Sequence, residues 1–276
     1  MNSLRMVDSV SRLAAITGLT FLALSARAEA PPTLDQALAR IRRNVQAFET
    51  QIPDFVCKER ITSRNVAQKT GAVEKETIIE STFSGRQKRA PANQTTGTSF
   101  TEERQIETVN GRKSPGAAFP VGVFRLSGGY SSLLVMIFGA ENQADYAFSL
   151  APPTPDILPG AFAIAFRSTG ARQKIVEKDG AHSFKAAGRA WFDPASFEIL
   201  RIEEQIQPKG GELGSDLPVI VEYQPVGIGE SRFYLPSRVS ASARRSVEGK
   251  AQRGEFVAEY SNYRKYGSET SIQFPE

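Results

Sequence analysis

The chain has 276 residues, with 34 Lys and Arg against 30 Asp and Glu, one His and one Cys. A formal charge of +4 is too small to argue for nucleic acid or for electrostatic docking on an anionic surface. A lone Cys rules out an intramolecular disulfide, and a lone His removes most zinc sites and serine triads.

The first predicted element is an export signal. Arg5 and Arg12 precede an uncharged run, Leu13 to Leu24, which ends in Ser25-Ala26-Arg27-Ala28. A basic start, a short apolar core and small residues at Ala26 and Ala28 predict a secretory signal cleaved near Ala28. The run falls short of the roughly 20 residues that a membrane span needs, and no second long apolar run follows it. The expected division is therefore a signal over 1–28 and a single β-rich domain over 29–276, with no integral membrane segment in the mature chain. The expected location is the periplasm or the cell exterior. The signal holds Arg5, Arg12 and Arg27 against Asp8, so removing it takes away half of the +4 charge.

A helix should come next. Thr33 with Gln36 forms a capping box, and Leu34, Leu38, Ile41, Val45 and Phe48 recur at helical spacing before Pro53 stops the run. From Phe55 the period changes to two. Phe55 to Arg64 and Glu74 to Ser84 predict a strand pair, and Phe100 to Val109 predicts a third strand closed by Asn110-Gly111, the residues of a tight hairpin turn. Gly85 to Gly97 reads as an exposed loop. The irregular middle, Lys113 to Gly129, leads into Tyr130 to Phe138, an apolar run that periodicity alone assigns to neither strand nor helix. Its Ser131-Ser132 start and Gly139 stop favour a short buried helix. The prolines from Pro152 to Pro159 predict an extended surface crossing, followed by a strand with Phe162, Ile164 and Phe166 on one face and alanines on the other.

The last third alternates most clearly. Gly188 to Phe192 and Phe197 to Ile206 flank the turn Asp193-Pro194-Ala195-Ser196. Leu200, Ile202 and Ile206 share a predicted face. Val219, Val221 and Tyr223 follow the same rule, as do Val239, Ala241 and Ala243, and then Phe256, Ala258 and Tyr260. Strict alternation predicts an antiparallel sheet with one wet face, and Gly- and Pro-rich connections predict a meander. The expected fold is mainly β with α: a curved antiparallel sheet, a half-open barrel, packed against an N-terminal helix and a short buried helix.

Chemistry is sparse in this pattern. His182 lies in a polar stretch that reads as a turn, Cys57 reads as a small buried hydrophobe, and no phosphate-cradling loop or nucleophile elbow is present. No catalytic residue, metal ligand or cofactor is expected. Glu204 stands out, because it falls on the apolar face with Leu200, Ile202 and Ile206; a carboxylate there is paired, lines a cavity or sits at a strand end reached by water.

The passage Gly188 to Pro194 (Gly-Arg-Ala-Trp-Phe-Asp-Pro), the Ile199 to Glu203 run that follows and Tyr234-Leu235-Pro236 resemble the outer-membrane lipoprotein carrier family. The resemblance implies a half-open barrel wrapped around helices, with an apolar concave face able to hold acyl chains. The Pro-rich middle, Lys113 to Pro159, departs from that pattern.

The leading expectation is a non-enzymatic exported protein that binds a lipid or lipidated chain in the concave face of its sheet. The candidate apolar cavity is lined by Leu133, Leu134, Ile137, Phe138, Leu200, Ile202 and Glu204. The alternative is a cell-envelope interaction or sensor module acting through strand edges.

Overall fold

A computed structural model describes residues 32–88, 99–126, 133–155, 157–170, 173–177, 180–208, 217–247 and 249–267. The predicted signal, Ser131-Ser132 and most of the predicted loop Gly85–Gly97 lie outside the described residues.

The capping box forms as expected: the Gln36 amide donates to Thr33 Oγ1 at 3.3 Å, and the Thr33 amide donates to Gln36 Oε1 at 3.0 Å. Helix α1 then runs Leu34–Gln51 and ends at Ile52, just before Pro53. Its fully buried stripe is Ala37, Ile41, Val45 and Phe48, while Leu34 and Leu38 are half-buried at its margin. Twelve strands follow among the described residues: β1 (Phe55–Ala67), β2 (Val73–Lys88), β3 (Ser99–Val109), β4 (Arg112–Lys113), β5 (Tyr146–Ala151), β6 (Phe162–Ser168), β7 (Gln173–Glu177), β8 (Gly180–Phe192), β9 (Ile199–Pro208), β10 (Leu217–Ile228), β11 (Ser231–Val247) and β12 (Lys250–Lys265). A short helix α2 (Leu133–Phe138) lies between β4 and β5.

All strand pairs are antiparallel and form one open sheet in the order β4-β3-β2-β1-β12-β11-β10-β9-β8-β6-β5, with β7 on the first half of β8. The sheet does not close into a barrel. Its path starts in the middle at β1, steps out to one edge at β4, crosses to the opposite edge at β5 and steps back until β12 meets β1. A meander is therefore present in two arms, and the stretch between β4 and β5 is the one crossing that joins them.

The described parts of that crossing lie against the inner face of the sheet. Ser63 Oγ donates to the Phe124 carbonyl at 2.8 Å and Asn65 Nδ2 to the Gly122 carbonyl at 3.2 Å. The Phe124 ring occupies the space a side chain at Gly254 would need, with ring carbons 2.5–2.8 Å from that position. Further on, Phe138 of α2 stacks on Phe148 at 5.6 Å and meets Phe166 edge-on at 6.4 Å. The inner face supplies the core: Phe55, Ile61, Ile79, Ile202, Val221, Leu235, Val239, Phe256 and Ala258 are all buried.

Several expectations shift in detail. Asn110 and Gly111 both take positive φ (49° and 74°), as the hairpin turn demands. The turn after β8 also forms: Asp193 accepts from the Ser196 amide and hydroxyl at 2.7 Å, and Phe197 closes it with φ 61°. Strand β8 begins at Gly180, so His182 stands opposite Ile175 in a ladder and not in a turn. Strands β5 and β7 arise where no element was expected. The Pro-rich stretch does not make a long extended crossing: it turns at Thr154–Leu158 to join neighbours β5 and β6, and Thr154 Oγ1 accepts from the Trp191 indole at 2.6 Å. Trp191 is fully buried on the outer face opposite Ala163, where the small residue leaves room for the indole.

Strand β9 carries the correction that matters most for the candidate cavity. A bulge slips its register on β8, so that Phe192 faces Ile199 while Trp191 faces Arg201. The extra residue rotates Ile199 into the core. Leu200 is left half-buried and outside the core cluster.

Candidate functional site

The predicted cavity residues separate into three groups. Leu133, Leu134, Ile137 and Phe138 are all buried, and they belong to one apolar cluster with Ile202. Helix α2 therefore fills the inner face. Leu200 stands apart for the reason given above. Glu204 is buried, at 5 % exposure, on the inner face of β9.

An open cleft exists beside this plug, between α1 and the sheet. It measures about 100 Å³ and is lined by Ile41, Val45, Phe48, Leu134, Phe197, Ile199 and Phe233, with Asn44, Gln51, Glu198 and Arg232 among its polar lining. The mouth is tied down at one point, where Asn44 Nδ2 donates to the Ser196 carbonyl at 2.9 Å and Arg40 covers the Phe197 ring at 4.7 Å. Burial, reinforced by the charge of Asp193, raises the pKa of Glu198 at the rim. Its neighbour Asp193 is held lower by the hydrogen bonds from Ser196. Of the predicted set only Leu134 reaches this cleft. The α1 stripe was read from the sequence as a packing face, but nothing local shows that Phe197, Ile199 and Phe233 will converge on it.

Glu204 faces Gly188 on one side and Val219 on the other. Gly188 has no room for a side chain: a carbon there would lie 2.7 Å from the Phe166 ring and 2.0 Å from the Glu203 carbonyl. Phe166 in turn meets the Tyr146 ring edge-on at 5.9 Å. A continuous path thus runs from Glu204 over Gly188 and Phe166 to Tyr146. Desolvation is the one cause that shifts the Glu204 pKa, and it moves the group up to about 7. Tyr146, at 6 % exposure, has a buried hydroxyl with no hydrogen-bond partner. Burial comes first in raising the Tyr146 pKa, and the charge of Glu204 adds to it. Burial likewise comes first in raising the Tyr223 pKa, with the charges of Glu102 and then Glu204 adding to it.

A second buried carboxylate, Glu59 on β1, was not singled out from the sequence. It is 2 % exposed and fully engaged: Arg104 from β3 holds both its oxygens, Ser81 Oγ donates at 2.6 Å, and Tyr260 Oη donates at 2.9 Å. The alternation Phe55, Cys57, Glu59, Ile61 was the signal that places it on the apolar face. Beside it Cys57 is 3 % exposed, and its thiol is pushed up to about 12, first by burial, against a hydrogen bond with Tyr263. A thiol held protonated in this way is a poor nucleophile, in keeping with the buried hydrophobe read from the sequence. Among the described residues no cluster of His, Cys, Asp and Glu has the makings of a metal site, and no helix is long and apolar enough to cross a membrane.

No family model matches the chain, and no curated protein matches it. Among solved structures it is similar to a chain in the complex structure of Pseudomonas aeruginosa MucA/MucB, at 11 % identity over 82 % of this chain and 94 % of that one, with a TM-score of 0.21. It is also similar to a chain in a crystal structure of MucB in complex with MucA(peri), at 11 % identity over 82 % and 93 % of the two chains, with a TM-score of 0.20. Both are distant resemblances.

Proposed function

We propose that this chain is an exported binding protein that holds an apolar group, a lipid or lipidated chain, between its inner sheet face and the helices that cover it. The observation that carries the reading is the cleft under α1, with apolar walls and a polar rim. Its volume of about 100 Å³ equals that of roughly three waters, below the roughly 300 Å³ at which small-molecule sites begin. It therefore suits the end of a chain, and a longer ligand requires α1 or α2 to lift. Neither helix belongs to the sheet ladder, so lifting either one exposes apolar surface without breaking strand pairing. The export signal over 1–28 and cleavage near Ala28 are part of this proposal.

Uptake of a fluorescent fatty acid, paired with native mass spectra of protein isolated from the exporting cell, tests the reading. Wild type is expected to take up the probe, and Val45→Trp, which fills the cleft, to lose uptake while keeping its strand content. A clean unliganded mass together with no uptake by wild type would sink the idea.

A second reading rests on a different observation. The edge strand β5, Tyr146-Ala147-Phe148-Ser149-Leu150-Ala151, has no charged residue and, among the described residues, pairs on one side only, with β6. An uncharged free edge is a template for an added strand from a protein partner. Crosslinking from position 149 separates the two: a reproducible protein adduct without lipid favours the edge.

A further inference from the structure

The stretch 120–126 lies over the inner face of β1 and β12 and belongs to no helix or strand. Its shape is its own: the Val123 amide donates to the Pro120 carbonyl at 3.3 Å, and Gly122 takes the positive φ (79°) that such a turn needs at its third residue. Three side chains of the sheet hold it by its carbonyls. Ser63 donates to Phe124 at 2.8 Å, Asn65 to Gly122 at 3.2 Å and Lys75 to Val121 at 3.5 Å. The Phe124 ring is the anchor, seated in the notch that Gly254 leaves. The tip faces outward, where Val121 is 95 % exposed.

The seat is imperfect. Asn65 stands opposite Gly254 and Gln252 lies two residues before it, so the two amide side chains share the inner face, each 6 % exposed. Asn65 Oδ1 and Gln252 Oε1 have no hydrogen-bond partner among the described residues. A buried acceptor left unpaired costs free energy. Lifting the turn breaks three bonds whose donors and acceptors water can take over, and it hydrates two acceptors that closure leaves bare. What remains against opening is chiefly the burial of one ring. A ladder strand has no such route, because opening it breaks backbone pairs in series.

We propose that 120–126 is a lid, hinged near Phe119 where the Arg104 guanidinium covers the ring at 5.4 Å, and that it opens as a unit to uncover the inner face at Ser63, Asn65 and Gly254. This entry is separate from the cleft under α1, whose lining includes none of these residues. The opening stands on the contacts above, whereas its role in admitting an apolar ligand rests on the reading given under the proposed function. A ligand chain that takes the place of the Phe124 ring favours the open form.

Thiol labelling on the full chain tests the opening. Ser63→Cys places a reporter under the lid, while the native Cys57, 3 % exposed on the same face of β1, reports general loosening. In this background Phe124→Ala should raise the labelling rate at position 63 about tenfold, by removing most of one ring's burial, and leave Cys57 unchanged. Lys75→Met alters an exposed tether outside the core and should accelerate the same position about threefold, which decides the matter if Phe124→Ala does not fold. No acceleration at position 63, or equal acceleration at both thiols, overturns the lid. Uptake of the fluorescent fatty acid then separates the two claims. Faster uptake by Phe124→Ala than by wild type supports entry here, and an unchanged rate overturns it. Accelerated labelling with no uptake by either protein leaves the lid standing and overturns the apolar-ligand reading alone.

Discussion

Glu59 and Glu204 are the same side chain on the same inner face, and the sheet treats them in opposite ways. Glu59 meets a guanidinium, a hydroxyl and a phenol, so its charge is neutralised and its lone pairs are used. Glu204 stands opposite Val219 and Gly188 in the ladder, and burial moves its pKa up to about 7. A carboxylate with a complete shell belongs to the architecture. One that burial alone acts on, with no charge or hydrogen bond offsetting it among the described residues, keeps a raised pKa.

The largest expected effect comes from breaking the complete shell. Arg104→Met leaves Glu59 charged and buried without its cation, and should cost about 3–5 kcal/mol of stability in urea unfolding. A loss under about 1 kcal/mol, the range of an exposed pair, would show that water reaches Glu59 and that the contrast with Glu204 is smaller than drawn.

Glu204→Gln should act in the other direction and depend on pH. The native pKa of about 7 stands above the ordinary value of 4.5, so between these values the folded state holds the extra proton. Wild-type stability from this group is present below pH 4.5 and is lost as pH rises to 7, up to about 3 kcal/mol in total. The variant has no such loss. It should exceed wild type by up to that amount at pH 8, and the gap should close toward pH 4.5. Unfolding curves at three pH values measure it, and a gap independent of pH would refute the raised pKa.

The smallest and most diagnostic pair uses the two phenols. Tyr260→Phe removes a donor to ionised Glu59 and should cost about 1.5–3 kcal/mol, whereas Tyr146→Phe removes an unpartnered hydroxyl and should be neutral or slightly stabilising. Thermal denaturation of both variants side by side decides it. Equal losses would mean that Tyr146 has a partner after all.

Local signals were legible where they were strong. The capping box, Pro53, Asn110-Gly111 and the Asp193 turn all act through neighbours in sequence, and each forms as expected. The one-sided strands from Val219 to Tyr260 were legible because a period of two leaves no other assignment for their apolar faces. The bulge at Leu200 was not, since one extra residue exchanges the faces of Ile199 and Leu200 without changing the composition of the run. β5 and β7 were too short to display a period, and His182 was read as a turn because polar residues surround it. The candidate site was half legible. Glu204 showed itself between Ile202 and Ile206, but its neighbour Tyr146 comes from the far edge of the sheet, reached across β8 and β6. Arg104 was hidden for the same reason: only the lateral order β1-β2-β3 brings it over Glu59.

The junction of β1 with β12 has a consequence for the order of folding. Ile61 pairs with Ala258, so the first strand waits for the last before its outer ladder is satisfied. Closing so long a span is entropically the hardest step in the sheet, and neighbouring hairpins within each arm have far shorter spans to close. The expected sequence is two arms that each assemble locally and then zip along a central seam. During that wait the middle of the sheet, and not its rim, is the exposed template. Pulsed hydrogen exchange should therefore find the amides of β1 that face β12 among the last to gain protection.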